Sequence, residues 1–297
     1  MLWLKEWFLS PLFCLLIFQL PAQADMSVKT RQVGDFSVSV LTERQVDAKA
    51  DDILINISDE DKKSLAPGGT YAAAYNAFLI KQDGKNVLVD TGFGTKLFEN
   101  LESLNVKPEN IDVILLTHMH GDHIGGMLNK EGAVNFPNAQ LYVAKREYEY
   151  WKEKESTKKI LDAYKDKLIL FEPEEIGDVK DLLPGIQAWK AYGHTPGHTV
   201  FLVQSKGNKL LIIADVVHAI AVQAAVPEVG VKYDVDPAMA AKTRKEIFSY
   251  VVDKKIPIAG MHIPYPGMGE LLPVKDRAYK FNAMKSQELN LQLIHLD

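Results

Sequence analysis

Short apolar runs separated by Gly, Pro, Asn and Asp recur along the chain, and their spacing predicts strands that alternate with helices. Alternating or fully apolar positions predict strands over residues 36–41, 75–80, 86–90, 113–116, 140–143, 186–191, 199–203, 209–214 and 256–261. Helical patterns cover residues 95–104, 145–164 and 236–252, and the last begins with Asp236 as cap and Pro237 in the first turn. This order predicts an α/β protein in which helices cover sheet layers.

The first two dozen residues predict a secretory signal rather than part of a folded domain. Lys5 precedes an apolar run over residues 7–20, and Ala22 and Ala24 stand at the small-residue spacing of a cleavage site. A membrane anchor is the alternative, but Pro11 interrupts the run, which is also shorter than the ~20 residues of a bilayer span. We therefore expect a signal peptide over residues 1–24, one domain over residues 25–297, a periplasmic or secreted location and no stable membrane anchor after cleavage.

Composition argues against several classes of function. Of the 297 residues, 47% are hydrophobic and 25% are charged, which is ordinary for a globular protein. The formal net charge of −5 and the absence of a long Lys/Arg run argue against a nucleic-acid partner and favour a small-molecule substrate. The one cysteine, Cys14, lies in the predicted signal, so disulfides, cysteine nucleophiles and thiolate ligands are not expected in the folded domain.

Histidine and aspartate residues cluster where predicted strands give way to loops, as ligands and catalytic groups often do. The string T-H-M-H-G-D-H directly follows one fully apolar strand. In an extended segment, residues two apart point the same way, so His118 and His120 can bind one ion. A turn at Gly121 would direct Asp122 and His123 towards a second position. Three further candidates follow other predicted strands: His198, Asp215 and His262.

Three sequence motifs surround these side chains: D-T-G at residues 90–92, T-H-M-H-G-D-H-I-G-G at 117–126 and G-H-T-P-G-H at 193–198. In combination they resemble the metallo-β-lactamase superfamily over nearly the whole of the predicted domain. The C-terminal part resembles its methyl parathion hydrolase-like branch in D-V-V-H at 215–218 and H-I-P-Y-P-G-M-G at 262–269. The resemblance implies a four-layer αββα sandwich with a metal centre at one edge.

The resemblance also implies a ligand set for two divalent metal ions. The ligands would be His118, His120 and His198 for one ion, Asp122, His123 and His262 for the other, and Asp215 as a bridge between them. Nitrogen and oxygen ligands suit Zn²⁺, which we expect here, with Mn²⁺, Fe or Co²⁺ as alternatives. Relatives also suggest a homodimer.

The expected activity is hydrolysis of an ester, lactone or phosphotriester by a hydroxide that bridges the two ions. Asp122 would orient that hydroxide and transfer a proton to the leaving group. The sequence has no G-x-S-x-G elbow, so a serine nucleophile is not expected. Four side chains are candidates for contact with the substrate: Phe136, Trp151, His218 and Tyr265.

Three alternative functions stay open. Export would favour a β-lactamase, but a bridging Asp215 resembles the lactonase and phosphotriesterase members rather than the antibiotic-degrading ones. A glyoxalase-type thioesterase shares the ligand set, but such enzymes usually add a C-terminal helical domain, whereas only a short segment follows His262. A metal-loaded binding protein without turnover is the non-enzymatic alternative, and the complete ligand set with Asp122 argues against it.

Several residues near the motifs have roles that the sequence leaves open. His194 precedes a Pro-containing turn and is interpreted as a turn residue or one that orients a ligand, not as a ligand itself. Asp90 could orient a ligand or close a turn, and His218 could face the substrate or pack within a loop. Arg244 is expected to pair with an acid such as Asp236 or to face solvent.

Overall fold

The computed structural model describes residues 27–275 and 277–285, so the predicted signal peptide lies outside the described residues and stays a prediction. Two seven-stranded sheets form the centre of this part of the chain. In spatial order, the first sheet consists of β1 (Val28–Val33), β2 (Phe36–Lys49), β4 (Thr70–Gln82), β5 (Lys85–Val89), β6 (Val113–Leu115), β7 (Gln140–Ala144) and β8 (Leu168–Phe171).

The second sheet contains most of the strands from the C-terminal half. In spatial order it consists of β16 (Arg277–Ala283), β15 (Met268–Val274), β14 (Ile258–Ala259), β12 (Asn208–Ile212), β11 (Thr199–Ser205), β10 (Ile186–Lys190) and β9 (Asp181–Leu183). A small two-stranded sheet pairs β3 (Leu54–Ile55) with β13 (Gly230–Val231). The hairpin of β15 and β16 and the first strand β1 were not predicted from the sequence.

The described α-helices are mostly short. They are α1 (Ala50–Ile53), α2 (Asp59–Leu65), α3 (Leu97–Ser103), α4 (Gly121–Ile124), α5 (Lys145–Trp151), α6 (Glu155–Ala163), α7 (Ile220–Ala225) and α8 (Pro237–Lys254). Helix α8 begins as predicted, because the Asp236 carboxylate accepts a hydrogen bond from the backbone N–H of Met239 at 2.9 Å.

The prediction of a single helix over residues 145–164 is wrong, because the helix is interrupted between α5 and α6. The Trp151 carbonyl accepts hydrogen bonds from the backbone N–H of Lys154 at 2.9 Å and from the Thr157 hydroxyl at 2.5 Å. These bonds turn the chain and replace the regular helical pattern. The Lys154 ammonium then lies over the Tyr150 and Trp151 rings, 3.5 Å and 3.9 Å from their centroids.

Successive residues of the central strands are buried on opposite faces, which explains the layered architecture. In β4, Phe78 and Ile80 pack between the two sheets, whereas Ala77 and Leu79 pack on the outer face with α3 and α6. On the outer face of the second sheet, strand residues pack against α8. The layers therefore run helix, sheet, sheet, helix, and the predicted αββα sandwich is confirmed.

Strand direction places the motif-bearing loops of the two sheets at one edge. Strands β5 to β8 pair in parallel, and β12 pairs in parallel with β14. The carboxyl ends of β6, β12 and β14 lead directly to His118, Asp215 and His262. Backbone bonds join the sheets there, since the Thr199 N–H donates to the Thr117 carbonyl at 3.0 Å. One edge of the sandwich therefore collects polar side chains from distant parts of the sequence.

Arg244 neither pairs with Asp236 nor faces solvent, contrary to the sequence expectation. Its side chain extends from α8 into the protein interior. There it donates to the backbone carbonyls of Val216 at 2.6 Å, Pro227 at 2.7 Å and Val229 at 2.8 Å. Burial lowers the pKa of Arg244 to about 10, which leaves the guanidinium charged at neutral pH. The side chain thus holds the long loop between β12 and α8 on the body of the domain.

Within the described residues, no helix combines the length and apolarity needed to span a bilayer.

We expect Arg244→Met to lower the free energy of unfolding by about 2–4 kcal/mol, because three buried carbonyls lose their donors. Urea unfolding followed by circular dichroism measures the change. The matched control is Lys245→Met, on the same helix but solvent-exposed, which should change stability by less than about 0.5 kcal/mol. Equal unfolding free energies for the two variants would contradict this role of Arg244.

Candidate metal centre

The loop after β6 presents two histidines that face one another. His118 is fully buried, and His120 precedes the short helix α4. The Nε2 atom of His118 lies 2.9 Å from Nδ1 of His120, which in turn lies 3.0 Å from Nε2 of His194. With Asp215, these side chains form a group whose donor atoms all lie within 4.8 Å of one another. Its donors and dimensions suit a divalent metal ion.

A second group of Asp122, His123 and His262 lies beside the first. The Oδ2 atom of Asp122 is 3.6 Å from Nε2 of His123 and 3.5 Å from Nε2 of His262. Asp215 also reaches this group, since its Oδ1 lies 3.2 Å from His123 Nε2 and its Oδ2 lies 3.1 Å from His262 Nε2. One carboxylate is therefore placed to contribute to both groups.

Asp90 orients two of these rings from behind. Its Oδ2 lies 2.7 Å from His123 Nδ1 and accepts a hydrogen bond from the Thr117 hydroxyl at 2.6 Å. Because that hydroxyl proton points to Asp90, the Thr117 oxygen accepts from Nδ1 of His118, 3.1 Å away. Both rings are thus fixed with Nε2 towards the centre. The structure resolves the open role of Asp90 in favour of orienting histidines.

The rings of His194 and His262 are oriented in the same way, by hydrogen bonds from their Nδ1 atoms. Nδ1 of His194 donates to the Asp234 carboxylate at 2.8 Å, and Nδ1 of His262 donates to the Ala74 carbonyl at 3.0 Å. Their Nε2 atoms face Asp215 Oδ2 at 3.3 Å and 3.1 Å. An acceptor behind Nδ1, with Nε2 left free towards the ion, is the usual arrangement around metal-binding histidines.

Two buried atoms at the junction of the groups have no hydrogen-bond partner among the described residues. They are His123 Nε2 and Asp215 Oδ1, which face each other at 3.2 Å. Buried polar atoms are rarely left unsatisfied, so this contact needs a proton or a cation. A divalent ion bound to both atoms would satisfy it, and the side chains present therefore fit the expected metals.

His198 is not brought into either group, contrary to the ligand set implied by the sequence. Its Nδ1 donates to the Ala191 carbonyl at 2.9 Å, and its Nε2 accepts from the backbone N–H of Asp215 at 3.2 Å. Both ring nitrogens are used in bonds to the backbone. His194, interpreted from the sequence as a turn or orienting residue, takes its place in the first group. His198 instead positions the backbone of Asp215.

The charges of the centre depend on one another. Burial opposes ionisation of Asp215, but His123 and His262 hold its pKa well below the usual range. Burial also disfavours charge on His194, yet its hydrogen bonds to Asp215 and Asp234 raise its pKa to about 9. Without metal, protons on such rings balance the carboxylates at neutral pH. Metal binding would displace those protons and leave the charge balance intact.

The remaining rings are held neutral. Burial lowers the pKa of His118 well below its usual value and that of His120 to about 4, and neighbouring histidines add to both effects. A neutral imidazole is the form that binds a metal. The first group therefore already contains two rings in the protonation state that metal binding requires.

A buried carboxylate that the sequence analysis missed, Glu147, connects the two ligand-bearing loops. Its Oε1 accepts hydrogen bonds from Met119 N at 3.1 Å and Trp151 Nε1 at 2.5 Å. Its Oε2 accepts from Thr195 Oγ1 at 2.7 Å and Gly197 N at 2.9 Å. Met119 lies between His118 and His120, and Thr195 follows His194, so Glu147 fixes the separation of these histidines.

Close packing explains the glycine that precedes His198. A Cβ on Gly197 would lie 2.2 Å from the backbone nitrogen of Glu147, which no side chain can occupy. Burial raises the pKa of the Glu147 carboxyl, although its four donors oppose that shift. The G-H-T-P-G-H motif thus includes residues that shape the loop as well as a candidate ligand.

A cavity of about 340 Å³ opens over both groups. Its floor contains polar side chains from the candidate metal centre: His120, Asp122, His194, Asp215, His218 and His262. Its walls are mainly apolar and aromatic: Val46, Ala48, Ile53, Tyr71, Ala73, Tyr75, Phe93 and Tyr233. Convergent polar groups beneath apolar walls are typical of small-molecule sites.

The four predicted substrate contacts have different positions. His218 lines the cavity, with Nε2 3.1 Å from Asp215 Oδ2 and its ring stacked on His262 at 4.6 Å. With Asp215 and His262 it also forms a third group of donor atoms within 4.8 Å of one another, which overlaps the other two. Trp151 lines a neighbouring cleft and contacts the edge of His120 at 5.4 Å. Phe136 is fully buried and stacks on Phe98, so its predicted contact with substrate is wrong.

Tyr265 is also absent from the cavity wall, and the prediction of a substrate contact is not supported. Its backbone N–H donates to the side-chain carbonyl of Gln45 at 3.2 Å. Aromatic residues outside the predicted motifs form the wall instead, namely Tyr71, Phe93 and Tyr233. Only contacts between distant segments reveal them, because no local pattern distinguishes them from core residues.

Comparison with known proteins identifies the family. A family model described as the Metallo-beta-lactamase superfamily matches residues 71–255. The crystal structure of the hydrolase AbOPH in the beta lactamase superfamily has a TM-score of 0.79 and 26% sequence identity, covering 88% of this chain and 99% of that one. The dizinc quorum-quenching lactonase AidC, in complex with a product, has a TM-score of 0.78 at 24% identity and covers 88% of this chain and 99% of that one. This second similarity is one of fold.

Curated relatives match over shorter stretches. An N-acyl homoserine lactonase of Bacillus cereus is 27% identical over 178 residues, which is 50% of this chain and 66% of the relative. Exodeoxyribonuclease WalJ of Streptococcus pneumoniae serotype 2 is 35% identical over 88 residues, or 28% of this chain, and the match spans only 33% of the nuclease. The chain therefore spans less than two thirds of the length of each of these relatives.

The family model covers more than half of the chain, and the αββα sandwich and the His/Asp groups at its edge agree with it. The chain therefore belongs to the metallo-beta-lactamase superfamily.

Proposed function

We propose that this protein is a metal-dependent hydrolase that cleaves a small-molecule ester, lactone or phosphotriester at a centre of two divalent ions. The observation on which this rests is the pair of donor groups at the floor of an open cavity, with Asp215 in the first group and 3.1–3.2 Å from two histidines of the second. The family and the lactonase relative support hydrolysis. Zinc is the expected metal, because all the donors are nitrogen or oxygen and one structural neighbour is a dizinc lactonase.

The ligand set follows the geometry rather than the sequence expectation. We assign one ion to His118, His120 and His194, the second ion to Asp122, His123 and His262, and the bridging position to Asp215. Bound there, the two ions would lower the pKa of a water molecule and polarise the substrate's carbonyl or phosphoryl oxygen.

Asp122 is the side chain best placed to handle a proton. It lies on the cavity floor and is partly exposed, unlike the fully buried Asp215. Burial disfavours its charge, but His123 and His262 outweigh that effect and lower its pKa. The oxygen of the ionised carboxylate that is not a metal ligand can accept a proton from the attacking water and transfer it to the leaving group.

His218 is proposed to contact the substrate. Its Nε2 lies beside Asp215, its ring lines the cavity, and its buried Nδ1 has no hydrogen-bond partner among the described residues. A substrate oxygen above the metal centre would lie within reach of this ring. The methyl parathion hydrolase-like branch, to which the D-V-V-H motif points, is part of this proposal. Export through residues 1–24 and a homodimer stay predictions.

The function is tested with a panel of lactones, aryl esters, phosphotriesters, thioesters and β-lactams on purified, metal-analysed protein. We expect turnover of a lactone, an aryl ester or a phosphotriester. Turnover restricted to β-lactams or to thioesters would favour those alternatives. Stoichiometric metal without hydrolysis of any substrate would favour a binding protein and contradict the proposal.

Replacing the shared carboxylate should affect metal and activity together. In Asp215→Ala, we expect metal content to fall and kcat/KM to fall roughly a hundredfold or more, because both groups lose a ligand. Metal analysis and initial rates measure the effect. Asp253→Ala, an exposed residue of α8 paired with Lys254, is the control. Full metal content and full activity in Asp215→Ala would contradict the shared-ligand assignment.

The two histidines of the G-H-T-P-G-H motif should differ in their effect on metal binding. We expect His194→Ala to lose about one of two bound ions after dialysis, because a ligand of the first group is removed. His198→Gln should keep both ions, because His198 contacts only backbone groups. Metal content per chain, measured at a fixed free-metal concentration, distinguishes them. The opposite pattern would restore the ligand set expected from the sequence.

Glu147→Gln should weaken metal binding although Glu147 lies outside both groups. An amide NH₂ in place of one oxygen faces two donors and breaks two hydrogen bonds, so we expect a roughly 10–100-fold loss of affinity. Competition with a chelator measures the affinity. Glu149→Gln, an exposed substitution on the same helix, is the matched control. Equal affinities of the two variants would show that Glu147 does not position the histidines.

A further inference from the structure

The strand β2 contains an irregularity next to the cavity. Thr42 pairs with Asn76 of β4, and Arg44 pairs with Tyr75, so Glu43 is an extra residue without a partner in the register. Such a bulge bends the strand and re-aims side chains, and bulges are frequent beside active sites. Here it determines the directions of two adjacent charged residues.

Glu43 points into the protein and fixes the loop that follows β5. Its carboxylate is buried and accepts hydrogen bonds from the backbone N–H groups of Phe93 at 2.7 Å, Lys96 at 3.1 Å and Leu97 at 3.0 Å. Three donors on one carboxylate leave that loop little freedom. Phe93 is thereby held against Tyr75, with ring centroids 4.9 Å apart.

Arg44 points the other way, over these two rings. Its guanidinium carbon lies 4.6 Å from the Tyr75 centroid and 5.4 Å from the Phe93 centroid. Both rings line the cavity, and the Tyr75 ring contacts His262 of the candidate metal centre at 5.2 Å. The guanidinium is therefore separated from the metal centre by one aromatic ring.

The polar edge of this guanidinium is available to a ligand. In the described part of the chain, Arg44 forms no ion pair, and no side chain or carbonyl accepts a hydrogen bond from it. A cation–π contact with the ring faces uses none of the guanidinium N–H groups in a conventional hydrogen bond, which leaves those donors available to a ligand. The residues that line the cavity include no Lys or Arg of their own.

We propose that Arg44 binds a carboxylate on the substrate and so selects anionic esters or lactones over neutral ones. The carboxylate would be separated from the scissile bond by the width of the Tyr75 ring. The inference rests on the hydrolytic function proposed above. A planar guanidinium held by two rings is pre-organised to bind a carboxylate with two parallel hydrogen bonds. The apolar wall beneath it would contact the substrate segment between the two ends.

A purely structural role makes a different prediction. If Arg44 only braced Tyr75 and Phe93, its removal would disturb the wall and slow hydrolysis of neutral and anionic substrates alike. Recognition of charge instead changes the ratio between matched substrates, because one member of the pair makes the extra contact. The ratio of two kcat/KM values is therefore the informative quantity.

Two matched pairs place the charge on either side of the scissile ester. They are 4-acetoxyphenylacetate with 4-acetoxyphenylacetamide, and phenyl hydrogen glutarate with phenyl glutaramate. Each pair differs only in a carboxylate and a primary amide. In the wild-type holoenzyme we expect kcat/KM for the carboxylate to exceed that for the amide by about tenfold in at least one pair.

In Arg44→Gln that ratio should fall towards one, and in Arg44→Lys it should be intermediate, because the charge remains without the planar fork. Arg146→Gln is the control: Arg146 is exposed and stacks on Tyr192 at 4.7 Å, away from the cavity, and its removal should keep the ratio. Hydrolysis of both members without a preference for the carboxylate, or a preference that survives Arg44→Gln, would overturn the role of Arg44 and leave the hydrolase proposal intact. Absence of hydrolysis in both pairs and in the wider panel would overturn both.

Discussion

The burial of the Asp215 carboxylate is the constraint on which the rest of the site depends. An ionised carboxylate removed from water is strongly destabilising unless positive charge and donors surround it. Nε2 atoms of four histidines surround its Oδ2, at 3.6 Å for His118, 3.3 Å for His194 and 3.1 Å for both His218 and His262. Since several of these rings donate outward through Nδ1, the centre can be neutralised only by protons on Nε2 or by cations. Metal ions meet that requirement while the rings stay neutral, so metal binding and stability of the native centre are linked.

The positions of these rings are determined by buried polar groups behind them more than by the loops themselves. Asp90 fixes two histidines on the first sheet, and Asp234 fixes His194 on the second. Glu147 then sets the spacing between the two loops with four hydrogen bonds. Each of these carboxylates is buried and satisfied, and a satisfied polar network specifies one geometry, whereas a purely apolar contact tolerates many. The sandwich supplies an edge where strands end, and these acids convert that edge into a defined centre.

Local patterns predicted sheet layers covered by helices and placed most candidate ligands at strand ends, whereas the αββα sandwich and the assignment of ligands to two ions came from the resemblance to the superfamily. Apolar runs bounded by turn residues mark strands, and strand ends mark positions such as Asp215 and His262. The choice between His194 and His198 could not be made in that way, since both lie in one loop four residues apart. It depends on which ring has Nε2 free, and that follows from contacts with Asp234 and with the Ala191 carbonyl. Arg244 was misjudged for the same reason, because its partners are the carbonyls of Val216, Pro227 and Val229, which are distant in sequence and lie outside the predicted elements.

The walls of the cavity have an origin different from that of its floor. The floor comes from motif residues at strand ends, whereas the wall that contains Tyr75 and Phe93 is shaped by a bulge in β2 and by the three hydrogen bonds of Glu43. One inserted residue in an N-terminal strand therefore shapes that wall, and none of the candidate ligands lies on that strand. Under the proposed role of Arg44, substrate preference would depend on a residue that lies outside every motif of the metal centre.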